Sequence, residues 1–153
     1  MKKNKIIVFL DTSVLIAAIF SDSGGSREIL KLSEMGLINI IVSINVINEI
    51  EQVLKIKAPN LIPKFVTLLK IAKIRKSVSA NKELVLKMSK FIKYNPDAII
   101  VADAIYANAN WLVSLDKKHI LSIKLPKSQK MKISTPAVFI KYIRSDLAKN
   151  TDY

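Results

Sequence analysis

Three aspartates and a pair of glutamates stand where short apolar runs end or helices begin. Asp11 follows Ile6-Ile7-Val8-Phe9-Leu10, and Asp116 follows Trp111-Leu112-Val113-Ser114-Leu115. Asp97 opens an Ala/Ile-rich helical stretch, and Glu49 and Glu51 lie in a helical stretch behind a second apolar run. The chain has only 12 acidic residues against 25 basic ones, so placing acids beside apolar strands calls for a reason. If the three aspartates and one glutamate converge, they need a cation, because two unit charges about 4 Å apart repel by roughly 4 kcal/mol at an effective dielectric near 20. Mg²⁺ or Mn²⁺ fits oxygen ligands of this kind. Either metal lowers the pKa of a water nucleophile and steadies charge building on phosphoryl oxygens.

Each acid also has a plainer role open to it. Asp11 can cap a helix starting near Thr12, Asp97 can sit at the positive end of a helix dipole, and Asp116 can close a turn before Lys117-Lys118. The glutamate is undecided by geometry: Val46, Ile47, Ile50, Val53 and Leu54 form one apolar arc, with Glu49 on one border and Glu51 on the other. Asp103 lies about 120° around the helix from Asp97, which leaves it outside the cluster as a capping, pairing or second-site residue. Thr12 and Ser114 are candidate hydrogen-bond donors to carboxylates or phosphate. The lone His119 reads as an exposed loop residue rather than an acid or base beside Asp116. Nothing resembles a Ser-His-Asp triad, and there is no phosphate-binding glycine loop.

The elements that would position these side chains alternate between apolar strands and amphipathic helices. Residues 5–10, 38–42 and 111–115 read as buried strands, being apolar and rich in β-branched residues, with a short strand near Lys132-Ile133. Helices are expected over 13–19, from a Ser26 cap to about Met35, over 44–55 behind a Ser43 cap, over 61–72, over 81–92 and over 136–144. Another starts at Asn95-Pro96-Asp97, with Asn95 as the cap and Pro96 in the first helical position, and runs to about Ala109. This alternation implies an α/β fold, an α/β/α sandwich around a central parallel sheet. Sites in such sheets form outside the carboxyl ends of the strands, and Asp11 and Asp116 follow two of those ends directly.

Composition bounds the partners. At 153 residues, half of them hydrophobic, the chain reads as one domain over 1–147 with a short tail over 148–153. No run of 18 apolar residues implies a membrane span. The basic-then-apolar start, residues 1–20, reads as a strand rather than a signal peptide, because Asp11 interrupts it. The absence of cysteine removes disulfides, thiol catalysis and cysteine zinc sites, and fits a cytoplasmic location. A net charge of +13 favours a polyanionic partner such as RNA, DNA or an acidic protein. Between Lys55 and Lys93 there are eleven basic residues and one acid, Glu83; between Lys117 and Lys132 there are six basic residues and no acid.

Taken in order, these segments resemble the PIN-domain family over about Ile6 to Ile143. Val8-Phe9-Leu10-Asp11-Thr12-Ser13-Val14-Leu15 looks like the family's opening strand and acid. Gly24-Gly25-Ser26-Arg27-Glu28-Ile29-Leu30 is similar to the loop and helix that follow in one bacterial and archaeal branch. Val42-Ser43-Ile44-Asn45-Val46-Ile47-Asn48-Glu49-Ile50 resembles the segment bearing the second acid, and this resemblance selects Glu49 over Glu51. Asp97-Ala98-Ile99-Ile100-Val101-Ala102-Asp103-Ala104 resembles the third element, with its acid at Asp97. Trp111-Leu112-Val113-Ser114-Leu115-Asp116 resembles the last, with Ser114 where Thr is common, and Thr135-Pro136-Ala137-Val138-Phe139 resembles the start of the closing helix.

The resemblance implies a Mg²⁺- or Mn²⁺-dependent nuclease whose catalytic and metal-binding set is Asp11, Glu49, Asp97 and Asp116. Many small members are VapC-type toxins that cut RNA, are silenced by a cognate antitoxin and form dimers. The expectation is therefore an endoribonuclease, the toxin of a type II toxin–antitoxin pair. A homodimer would use the early helices, 26–35 and 44–72. Two other readings remain: an RNA-processing nuclease without an antitoxin, and a non-catalytic RNA-binding module whose acids serve folding.

Overall fold

A computed structural model describes residues 4–151. Residues 1–3 of the basic start and residues 152–153 of the expected tail lie outside the described residues. Five strands form one sheet: β1 (Ile7–Leu10), β2 (Asn39–Ser43), β3 (Arg75–Ser77), β4 (Trp111–Val113) and β5 (Lys132–Ser134). Their order is β3-β2-β1-β4-β5 and every pairing is parallel. Among the described residues, seven α-helices accompany the sheet: α1 (Thr12–Phe20), α2 (Gly25–Glu34), α3 (Ile44–Lys57), α4 (Ile62–Ile71), α5 (Lys82–Ser89), α6 (Asn95–Tyr106) and α7 (Pro136–Asn150). The expected α/β/α sandwich is the fold found. Among the described residues, no helix is long and apolar enough to cross a membrane.

The core explains why the central strands are continuously apolar. Val8, Phe9 and Leu10 of β1, Ile40 and Val42 of β2, and Leu112 and Val113 of β4 are all fully buried, as strands covered on both faces must be. Helices close over them with Val14 and Ile19 of α1, Val46 and Ile50 of α3, Ala98 and Val101 of α6, and Phe139 of α7. α1 packs on α2 and α3, α2 on α7, and α5 on α6. The α2–α7 approach is close at Gly25, where a Cβ would stand 3.1 Å from the Pro136 Cβ.

Four local expectations are corrected. β3 has no counterpart in the sequence reading: it is a polar edge strand, Arg75-Lys76-Ser77, largely exposed. Edge strands of this kind carry charge instead of apolar alternation. α2 begins one residue ahead of Ser26, with Gly24 at the cap position in the left-handed region (φ 93°) and no side-chain cap. α6 is preceded by Tyr94 as its cap, so Asn95 is the first helical residue and Pro96 the second. α5 stops at Ser89 rather than Ile92 and starts behind Asn81, whose side chain accepts the Leu84 N–H at 2.9 Å.

The strand order creates the crevice. From β1 the chain passes to β2 and β3 on one side, then crosses to β4 and β5 on the other. The order therefore reverses between β1 and β4, and the carboxyl ends of those two strands are where an open α/β sheet builds its site. Register places Leu10 beside Val113, and the Asp11 N–H extends the ladder to the Val113 carbonyl at 3.1 Å. Asp11 and Ser114 consequently leave the sheet side by side.

Candidate active site

Asp11 is the junction between β1 and α1. It keeps an extended backbone and caps α1, its Oδ1 accepting the Ser13 N–H at 2.7 Å. The Ser13 hydroxyl donates to the same oxygen, and the Ser114 hydroxyl donates to Oδ2. Both hydroxyls also accept from the loop after β4: Ser13 Oγ takes the Leu115 N–H at 3.0 Å and Ser114 Oγ takes the Asp116 N–H at 2.9 Å. A buried carboxylate thus ties the end of β1 to the segment that carries Asp116. Asp116 in turn accepts the His119 N–H at 3.0 Å, so the turn role and the proximity to Asp11 coexist.

Asp97 arrives from the first turn of α6 and is 7% exposed. Its Oδ2 lies 3.4 Å from His119 Nδ1. Burial raises its pKa above the ordinary carboxylate value; the negative charges of Asp116 and Asp11 add to this, while His119 opposes it. Two acids distant in sequence therefore bear on a third. Glu49, on the exposed side of α3, accepts the Thr12 hydroxyl at 2.8 Å, which links it to the residue beside Asp11. Thr12 and Ser114 both donate to carboxylates, one of the two roles read for them.

Asp103 stands apart. It is fully buried (0% exposed). Its Oδ2 accepts Asn45 Nδ2 and its Oδ1 the Ala80 N–H, each at 2.8 Å. It pins α6 to the start of α3 and to the loop before α5, the pairing role left open by its angular position.

His119 corrects the sequence reading. Rather than a free loop residue, it bridges Asp97 and the Tyr94 ring, whose centroid is 4.8 Å from its own. Ser13 was not singled out either, although the run Asp11-Thr12-Ser13 at a helix start is the arrangement in which a serine hydroxyl reaches back to a cap carboxylate.

Among the described residues, no three His, Asp or Glu side chains form a group that could hold a metal ion as they stand. The donor chemistry nevertheless suits a hard cation. A carboxylate offers about four lone-pair positions. The carboxylates of Asp116 and Asp97 each have one described hydrogen-bond or ion-pair partner, while that of Asp11 accepts three hydrogen bonds. All three keep acceptor capacity, and Asp97, whose pKa is raised first by burial and then by the charges of Asp116 and Asp11, would gain from a cation beside it.

A parallel sheet whose strand order reverses between β1 and β4, with Asp11 and Asp116 following those two strands, has the layout of an open α/β fold with its crevice at the switch point. The chain belongs to the PIN domain family, which matches residues 8–122; members of this family are nucleases and generally use a divalent metal. Among solved structures, VapBC2 from Rickettsia felis, bound to a DNA fragment from their promoter, is similar, with a TM-score of 0.65 at 18% identity over 85% of this chain and 98% of that one. PAE2754 from Pyrobaculum aerophilum is similar with a TM-score of 0.62 at 15% identity, covering 92% of this chain and 90% of that one. At these identities the likeness is one of fold. No curated protein matches the chain.

Proposed function

We propose that this protein is a Mg²⁺- or Mn²⁺-dependent endoribonuclease, with Asp11, Glu49, Asp97 and Asp116 as its catalytic and metal-binding residues. The observation that supports this most is the placement of Asp11, Asp97 and Asp116 about the carboxyl ends of β1 and β4, where burial first, and then the charges of Asp116 and Asp11, raise the Asp97 pKa, within a chain of net charge +13. When bound, a divalent cation supplies charge compensation, a more acidic water and stabilisation of a phosphorus centre under attack. The chain's own residues do the rest. Ser13 and Ser114 fix the Asp11 carboxylate, Thr12 orients Glu49, and His119 holds Asp97. Surface lysines retain the polyanion by its backbone.

The basic surface and the resemblance to VapC-type toxins support a toxin role in a type II pair, with an antitoxin partner and a homodimeric toxin. Cleavage of a mixed RNA pool by purified protein with Mg²⁺, Mn²⁺ or EDTA, beside Asp11→Asn and Asp97→Asn, tests the chemistry. Metal-dependent cleavage lost in both variants is expected. Cleavage that survives in either variant, or that proceeds in EDTA, rejects the assignment. Growth arrest on expression, relieved by Asp11→Asn, is expected of a toxin; a housekeeping nuclease leaves growth unaffected.

A further inference from the structure

Beside the acid cluster, a surface groove of about 410 Å³ is lined by Phe91, Tyr94, His119 and three lysines, with Asp97 as its one acid. We propose that this groove stacks an unpaired base of single-stranded RNA next to the phosphate presented at Asp97, with Tyr94 as the platform. This rests on the endoribonuclease reading and adds to it the groove and the residue that grip the substrate.

Four observations carry the inference. Phe91 is 55% and Tyr94 52% exposed, so the groove offers two large aromatic rings to solvent. The Tyr94 backbone stands at the cap position of α6, the helix that presents Asp97 three residues later. The Tyr94 ring lies against His119 at 4.8 Å and 32°, and His119 reaches Asp97 at 3.4 Å. Aromatic platform and acid are therefore held by the same short stretch and by a shared neighbour. Finally, Lys93, Lys118 and Lys124 line the same groove, which supplies the cationic track that a nucleic-acid backbone needs.

Exposed aromatics set among lysines are the elements of single-strand recognition, in which bases stack on rings and phosphates meet cations. In a duplex the bases already stack on one another and are not free to enter such a groove. Substrate choice would then be set by whether a base can leave its neighbours near the cleaved bond.

The experiment uses single-stranded oligoribonucleotides carrying one 2-aminopurine, its position moved along the chain, and the same strands in duplex. Binding to the whole protein is followed in EDTA by anisotropy and by 2-aminopurine fluorescence. Wild type and Tyr94→Phe are expected to bind the single strand and quench the probe at one position. Tyr94→Ala is expected to lose the quench and to bind roughly tenfold to hundredfold more weakly, the range for losing one base stack. Duplex is expected to bind more weakly and without a quench. Unchanged binding and quench in Tyr94→Ala with an unaltered melting temperature, no quench in wild type, or preference for duplex overturns the proposal. An apolar face kept for a protein partner gives the first of these outcomes. If Tyr94-dependent quenching is present but no metal supports cleavage, the groove stands and the nuclease reading falls. Cleavage without Tyr94 dependence gives the reverse.

Discussion

Asp103→Ala separates a structural carboxylate from the proposed metal ligands. The residue is fully buried, and its two oxygens serve donors on two other segments: Asn45 at the start of α3, and the Ala80 N–H just before α5. Removing it strands both donors, and each unsatisfied buried group costs about 1–3 kcal/mol. Asn45 keeps a second acceptor, Ser79 Oγ at 3.1 Å, and both bonds are only partly buried, so the total falls toward the lower half of the sum, about 3 kcal/mol. For a chain of this size that is a drop in melting temperature of roughly 6–12 °C. Urea and thermal unfolding in EDTA measure it. Adding Mn²⁺ should then raise the melting temperature of Asp103→Ala by the same increment as wild type, since a ligand stabilises the folded state in proportion to RT ln(1 + [L]/Kd). A variant as stable as wild type, or one of normal stability that no longer responds to Mn²⁺, refutes the reasoning; the latter would make Asp103 a ligand.

Three further outcomes follow from the site. Burial and the charges of Asp116 and Asp11 raise the Asp97 pKa in the folded chain. The folded state then holds that proton more tightly than the unfolded state and loses stability as pH rises out of the carboxylate range. Asp97→Asn should therefore melt higher than wild type near neutral pH in EDTA, with the gap closing in acid where Asp97 is protonated; a gap that widens in acid contradicts this. Ser114→Ala removes a fully buried hydroxyl that bonds both Asp11 and the Asp116 backbone. It should cost about 1–3 kcal/mol in urea unfolding and slow cleavage, whereas Ser114→Thr, which keeps the hydroxyl, should retain most of both. The logarithm of affinity for single-stranded RNA should fall linearly with the logarithm of salt, and Lys93→Ala should flatten the slope by about 0.7, the value for one phosphate contact; an unchanged slope removes Lys93 from the interface.

What the sequence made legible was set by burial and local geometry. β1, β2 and β4 announced themselves because strands covered on both faces must be continuously apolar, and Asp11 and Asp116 stood out because they end such runs. Angular position alone separated Asp103 from Asp97, and the structure gives it different partners. β3 was invisible because an exposed edge strand of three polar residues carries no apolar pattern. Tyr94 displaced Asn95 as the α6 cap through backbone geometry that composition does not specify. His119 was misread because its neighbours, Tyr94 and Asp97, lie more than twenty residues earlier, and only the fold brings the loop after β4 against the start of α6. Glu49 was chosen over Glu51 by family resemblance alone; its bond to Thr12 depends on how α1 and α3 pack, which periodicity along α3 cannot supply.

The most direct measurement is an anomalous difference map from crystals of the protein soaked in Mn²⁺. The account predicts a peak contacted by carboxylate oxygens of the set Asp11, Glu49, Asp97 and Asp116, at the carboxyl ends of β1 and β4 and absent from an Asp97→Asn crystal. No peak at saturating Mn²⁺, or a peak held instead by Asp103, would contradict it.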